Sequence, residues 1–177
     1  MSSAEVPPFT VTPPAEFDIP STNIHARLFQ EGDADDLARL ASEESVQRYV
    51  PWAKRIHDAG SASNAIHEFQ TAWDRKVMAR YCLEDNGRFM GYAGIWSDQN
   101  PDYYEFGFAM LPEFRGQGNG TKVVTELLKI AKEKLGAKGM VAYVDDTNEA
   151  SKAVVIKHEF RPSDEFDSGD RRYELSF

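Results

Sequence analysis

The chain has 177 residues, 41% of them apolar, which suits one domain with a sizeable core. Lysine and arginine number 20 against 29 aspartates and glutamates, a net charge of −9 and the opposite sign from a nucleic-acid binder. The single cysteine, Cys82, excludes an internal disulfide, and no apolar run approaches the ~18 residues of a membrane span. The N-terminus shows no basic start followed by an apolar core, so a cytoplasmic protein is expected, without nucleic-acid or membrane partners and either monomeric or homodimeric. An acidic surface favours a cationic or amine-bearing substrate through long-range steering.

Residues 1–23 hold five prolines (Pro7, Pro8, Pro13, Pro14, Pro20) and read as a tail or extended arm, with Phe9, Val11, Phe17 and Ile19 as its anchors. A domain over 24–177 follows. Residues 25–30 read as a strand, and Gly32-Asp33-Ala34-Asp35-Asp36 opens a helix with Leu37 and Leu40 at helical spacing. Tyr49-Val50-Pro51-Trp52 breaks that pattern. Ser61 or Ser63 is placed to cap a further helix bearing Ile66, Phe69, Trp73 and Val77 on one face. Residues 79–84 alternate as a strand, and Asp85-Asn86-Gly87 turns the chain into a second strand over 88–96. A third covers 103–110. Residues 111–114 then lead into Arg115-Gly116-Gln117-Gly118-Asn119-Gly120-Thr121. The next helix, over 122–135, has Val124, Leu127, Leu128, Ala131 and Leu135 on one face and Gly136 as its C′ residue. A strand at 139–144, a short helix starting near Thr147 and capped by Asp146 with Glu149, and a hairpin from 158–161 and 171–177 complete the chain. The order describes a single α/β (α+β) domain: a mixed, mostly antiparallel twisted sheet flanked by helices, with one βαβ crossover at the glycine run.

Glycines allow positive φ and close approach of a ligand to the backbone, and the first N–H groups of a helix are unpaired at its positive end. A glycine run feeding a helix is therefore matched to phosphate. A P-loop needs Gly-x-x-x-x-Gly-Lys-Ser/Thr, whereas here Lys122 follows Thr121; a dinucleotide fingerprint needs Gly-x-Gly-x-x-Gly beside a first strand, whereas these glycines are spaced Gly-x-Gly-x-Gly in mid-chain. Arg115-Gly116-Gln117-Gly118-Asn119-Gly120 fits Arg/Gln-x-x-Gly-x-Gly/Ala and resembles the acyl-CoA-binding signature of the GNAT superfamily of N-acyltransferases.

The resemblance runs from about Asn23 to Phe177 and is closest to the Rim-type group, which acetylates protein N-termini and, in some members, small amines. It is carried by Arg27-Leu28 ahead of Gly32-Asp33-Ala34-Asp35-Asp36-Leu37, by Gly91-Tyr92-Ala93-Gly94, Glu105-Phe106-Gly107-Phe108 and the glycine run, and by Asn148-Glu149-Ala150-Ser151. It implies a cleft for acetyl-CoA, the cosubstrate, at the crossover. Met110, Arg115, Gly116, Gln117, Gly118, Asn119, Gly120 and Thr121 would bind CoA, with N–H groups from about Gln117 to Thr121 on the pyrophosphate. Asn148 would bond the pantetheine arm and Ser151 would lie near the sulfur. Glu105 lies where many members carry a general base. Two departures stand out: Val155 occupies the position seven after Asn148 where other members use a tyrosine, and Glu159 replaces the usual glycine in Lys157-His158-Glu159-Phe160.

Tyr49, Trp52 and Tyr104 are candidates to line an acceptor pocket, and Asp98 and Asp102 to bind a cationic acceptor. The four histidines, His25, His57, His67 and His158, lack metal-ligand spacing, so no metal is expected; no Gly-x-Ser-x-Gly elbow is present, and Cys82 reads as a small buried side chain. The expectation is an acetyl-CoA-dependent N-acetyltransferase acting on a primary amine, either a peptide or protein N-terminus or a small amine, by direct transfer in a ternary complex. The rival from another class is a non-catalytic acyl-CoA-binding or sensing domain; a third reading is a nucleotide-binding α/β domain.

Overall fold

The proline-rich stretch contributes the first strand: β1 (Glu16–Asp18) pairs antiparallel with β2 (Ile24–Leu28), Phe17 opposite Ala26. Phe9 and Ile19 are buried with it, while Val11 is exposed. The computed structural model describes residues 6–177; residues 1–5, the start of the arm, lie outside the described residues. After β2 come α1 (Ala34–Ser42), α2 (Glu44–Tyr49) and, past a 3-10 turn at Pro51–Arg55, α3 (Ala59–Asp74). The strands β3 (Met78–Asp85), β4 (Arg88–Ser97) and β5 (Tyr103–Met110) form the expected meander. Asn86 and Gly87, at φ 51° and 74°, make the two-residue turn with both central residues left-handed that Asn-Gly announces. Next are α4 (Asn119–Lys129), β6 (Gly139–Val144), α5 (Glu149–Lys157), β7 (Arg161–Asp167) and β8 (Asp170–Ser176).

The described residues form one eight-stranded sheet in the order β1-β2-β3-β4-β5-β6-β8-β7. Only β5 and β6 run parallel, and the crossover between them carries the glycine run and α4. The helices are too short to persist alone in water, so burial of their apolar faces holds them. Leu37 and Leu40 of α1, Ile66 of α3, and Val123, Val124 and Leu127 of α4 are all sealed, and each such side chain is worth ~1.5–3 kcal/mol relative to exposure.

Helix ends differ from the sequence reading for local reasons. Asp58, neither Ser61 nor Ser63, caps α3: its carboxylate accepts from the Ser61 N–H at 2.7 Å, while the Ser61 hydroxyl accepts from the Asp58 N–H at 3.0 Å. α4 starts at Asn119, three residues early, because the glycine run is already helical there, and it ends through a π-helical turn at Ile130–Lys134 before Gly136, at φ 66°. Asn148, not Asp146, caps α5. Glu159 takes φ 64°, so the turn expected of a glycine is retained. Phe160 donates its N–H to Val155 and Glu159 to Ile156, the paired bonds that close a helix through a left-handed residue.

Candidate active site

Strands β5 and β6 pair over three rungs only: Tyr103 with Gly139, Tyr104 with Met140, Glu105 with Val141. Beyond Glu105 they part, β5 following β4 to Met110 and β6 following β8 to Val144. The parting opens a cleft of about 390 Å³, and Glu105, Phe106, Tyr143, Asn148 and Ser151 are among its walls. Backbone groups on the facing edges have no ladder partner across the gap, and a backbone-like ligand can add itself there.

Glu105 stands at the last paired rung. Burial pushes its carboxyl up to about 7; the Trp96 side chain, its neighbour across β4, opposes that rise, Asp98 and Asp167 add to it, and Arg172 works against it. A carboxyl titrating near neutral pH has the property a general base needs. On the facing side Asn148 is the cap of α5, its Oδ1 accepting from the Ser151 N–H at 3.1 Å. The two residues are thus coupled by a capping bond, not stacked along a helical face. The bond uses the amide oxygen of Asn148, and among the described residues its NH₂ group has no protein partner. Ser151 and Glu105 share one cavity although 46 residues separate them in sequence.

The glycine run follows β5 and leads into α4, and neither it nor Met110 is among the walls of this cleft. Gly116 and Gly118 have φ 71° and 77°, and Gly118 is the N-cap of α4. The polar side chains of the run turn back on the chain: Arg115 Nε donates to the Met110 carbonyl at 2.7 Å, Gln117 Nε2 to Glu113 at 2.8 Å, and Asn119 Nδ2 to Phe114 at 3.0 Å. These bonds fix the loop from inside. Among the described residues, the backbone N–H groups from Gly116 to Thr121 have no backbone acceptor; the first bond of the helix is Lys122 N–H to the Gly118 carbonyl. Six consecutive free donors at a helix N-terminus fit a phosphate or pyrophosphate. Gly120 has a different role. A Cβ there would stand 2.9 Å from the Phe108 ring, so its absence lets α4 close on β5.

The profile of the acetyltransferase (GNAT) domain matches residues 23–161. The chain belongs to that family. No curated protein matches it in sequence. Among solved structures it is similar to RimL, a ribosomal L7/L12 alpha-N-protein acetyltransferase in complex with coenzyme A, at a TM-score of 0.79 and 16% identity over 92% of this chain and 98% of that one. An acetyltransferase that modifies the N-terminal serine of ribosomal protein L7/L12 from Salmonella typhimurium superposes with a TM-score of 0.76 at 15% identity, over 92% of this chain and 99% of the other. The microcin C7 self-immunity acetyltransferase MccE, in complex with acetyl-CoA and AMP, gives 0.80 at 13%, over 94% and 99%. At these identities the likeness shows a shared fold.

Within this GNAT domain the candidate acceptor residues separate. Tyr49 and Trp52 line the cleft. The Tyr49 hydroxyl lies 3.3 Å from the Thr147 hydroxyl, and Trp52 packs edge-on against Phe69 and Tyr92 at 5.6 and 5.0 Å. Tyr104 does not line it: strand alternation sends it to the opposite face, where it is buried against Phe9 at 5.3 Å. Asp98 and Asp102 are already engaged, the first buried with Arg172 at 3.1 Å and the second with Lys138 at 2.9 Å, so neither is a free acid for a cationic acceptor. Cys82 is buried, and desolvation pushes its thiol pKa up, away from nucleophilic use. Val155 is sealed at the cleft wall, offering no hydroxyl where a tyrosine would stand. Among the described residues no group of three or more His, Cys, Asp or Glu is arranged to hold a metal ion, and no helix is long and apolar enough to cross a membrane. The sequence reading missed Arg80 and Trp96, which also line the cleft. The available signal was a charged residue in mid-strand between the buried Ala79 and Tyr81.

Proposed function

We propose that the protein transfers the acetyl group of acetyl-CoA directly to a primary amine within a ternary complex, the amine being a peptide or protein N-terminus or a small molecule. One observation carries this reading: a carboxyl poised near pH 7 stands where two parallel strands separate, in one cavity with the capped start of α5, and its strand leads on to a run of free N–H donors. Gln117 to Thr121 receive the CoA pyrophosphate through backbone N–H groups, with Arg115, Gly116 and the Met110 edge completing the path, and Asn148 offers its free NH₂ to the pantetheine arm. Acetyl-CoA brings an activated thioester. Glu105 removes a proton from the acceptor ammonium, directly or through water, and the Ser151 hydroxyl donates a hydrogen bond to sulfur as charge develops there. Tyr49 and Trp52 bound the acceptor side. The reading includes a cytoplasmic setting, supported by the lone buried thiol.

The test is release of free thiol when purified protein meets acetyl-CoA and a panel of amines and peptides, with acetylated products identified by mass spectrometry. Binding of acetyl-CoA with no thiol release from any acceptor would replace this reading with a sensing domain. Competition by ATP or NAD instead of CoA would replace it with a nucleotide-binding one.

A further inference from the structure

Arg80 lies in the middle of β3 and lines the cleft. Its partner across β4 is Gly94, whose own partner on β5 is Gly107. A Cβ on Gly94 would stand 3.1 Å from Trp96 Cζ3 and 3.3 Å from Arg80 Cγ, and one on Gly107 would stand 2.9 Å from Trp96 Cη2. The two glycines therefore make a trough in the sheet, in which the Trp96 indole and the Arg80 stem lie flat. This places the guanidinium among three rings, with Cζ 4.5 Å from the centre of Phe69, 5.1 Å from Trp52 and 5.7 Å from Trp96.

A guanidinium has five N–H donors and needs acceptors in its plane. Ring faces balance its charge but accept no such in-plane bonds. Among the described residues Arg80 makes no ion pair, and its Nε is buried with no partner at all. Burial pushes its pKa below the usual guanidinium range, yet that range begins so high that the charge remains at neutral pH. The other deep arginine of the cleft region, Arg172, is by contrast fully met, by Asp98, Glu174 and the Tyr143 hydroxyl. A charge held in place by aromatic packing and left without acceptors is a prepared receptor for an oxyanion. The other groups in the cleft limit which oxyanion can enter. Asp145, Asp167 and Asp170 line the same cavity, so a free anion is repelled on entry while an ammonium is drawn in.

We propose that Arg80 sets acceptor specificity by receiving an oxyanion, carboxylate or phosphate, carried on the same small molecule or peptide end whose amine takes the acetyl group. This rests on the transfer reading above. A cavity of about 390 Å³ that must also admit the acetyl end leaves room for a unit of one or two residues. The acceptor is thus a compact zwitterion: an amino acid or dipeptide, a peptide starting with an acidic residue, or a phosphorylated amine.

The experiment compares kcat/KM within matched pairs of similar amine basicity: Ser-Gly against its C-terminal amide, Glu-Gly amide against Gln-Gly amide, and phosphoserine amide against serine amide. In at least one pair the anionic member is preferred tenfold or more by the wild type, and the pair that shows it names the source of the oxyanion. Arg80→Leu brings that ratio close to one while acetyl-CoA affinity holds. Because it removes an unpartnered buried cation, Arg80→Leu melts at or above the wild-type temperature, which a purely structural role would not produce. If it fails to fold, Arg80→Lys, which keeps charge but loses the planar fork, serves instead and lowers the ratio several-fold. No preference in any pair, or a preference that survives substitution, overturns the proposal. If no amine is acetylated at all, the transfer reading falls by itself, and the anion site is judged by titrating two zwitterions that the cleft's carboxylates admit, glycylglycine and phosphoethanolamine, against tryptophan fluorescence. A saturable change in wild type that is absent in Arg80→Leu supports the site, and no change with either probe overturns it.

Discussion

Replacing Glu105 by glutamine tests the site through two independent readouts, stability and rate. The carboxyl titrates at about 7 in the folded protein against an ordinary value of 4.5, with burial as the main cause. A raised carboxyl binds its proton more tightly in the folded than in the unfolded chain, so between these values stability falls as pH rises. Well below 4.5 the group is neutral in both states and costs nothing; well above about 7 the full penalty is present. The interval from 4.5 to about 7, at ~1.36 kcal/mol per pH unit, amounts to roughly 3 kcal/mol. Glutamine keeps the shape without the charge. At pH 4 the variant and wild type should melt nearly together, and at pH 8 the variant should melt higher by roughly 6–12 °C for a domain of this size. Taking the difference between the two proteins cancels the contribution of all other titrating groups. Acetyl transfer should move the opposite way, with kcat lower by on the order of 10²-fold and the rise of wild-type kcat/KM through pH 7 lost. A melting difference that does not change with pH would refute the raised carboxyl, and an unchanged pH–rate profile would refute its role as base.

Gly118→Val should weaken CoA binding at least tenfold by calorimetry with the circular dichroism spectrum kept, since a Cβ there meets no protein atom within 4 Å but strains a φ of 77° in the middle of the run of free N–H groups. Ser151→Ala should lower kcat about tenfold to a hundredfold with acetyl-CoA affinity held, as expected of a donor used chiefly in the transition state; a fall in affinity with constant kcat would make Ser151 a binding residue. Glu159→Gly should raise stability by roughly 1 kcal/mol in denaturant melts, because a non-glycine residue at φ 64° pays ~1–2 kcal/mol for its Cβ and glycine returns part of that as chain entropy. Asn148→Ala should cost about 1 kcal/mol through the lost cap and weaken CoA binding as well, two effects that would not travel together if the residue were a cap alone.

The strands and their order were legible wherever side-chain alternation met an unmistakable turn. Asn86-Gly87 and the alternation on either side leave few other ways to pair β3 and β4. The glycine run was legible because its chemistry is that of the backbone, which spacing alone describes. Residues 16–18 were not, since three residues between prolines show no period and pair only because β2 presents an edge. The expected helix caps differ from the actual ones by three or five positions at α3 and by two at α5, where several Ser, Asp and Asn residues compete and only the local backbone decides among them. Tyr104 failed for a plainer reason: it neighbours Glu105, and neighbours on a strand face opposite ways. Arg80 was invisible because its meaning depends on Gly94 and Gly107 lying beside it in space.

The exceptions to ordinary protein chemistry lie close together, and this argues for function more strongly than any one of them. The pairs Arg27–Asp33 and Arg172–Asp98 satisfy their charges in the usual way. Glu105 of β5 is instead held near neutrality against its ordinary preference, Arg80 of β3 is held charged without acceptors, and the N–H groups of the glycine run that follows β5 are left free. In the proposed ternary complex each would meet a different partner: an ammonium beside Glu105, an oxyanion at Arg80, a pyrophosphate on the loop. Glu105 marks the last rung at which β5 and β6 still pair, and Arg80, two strands away on β3, reaches the same cleft. Substitutions that satisfy these groups internally should therefore stabilise the fold and weaken the enzyme, whereas the same substitutions at Arg27 or Arg172 should only destabilise it.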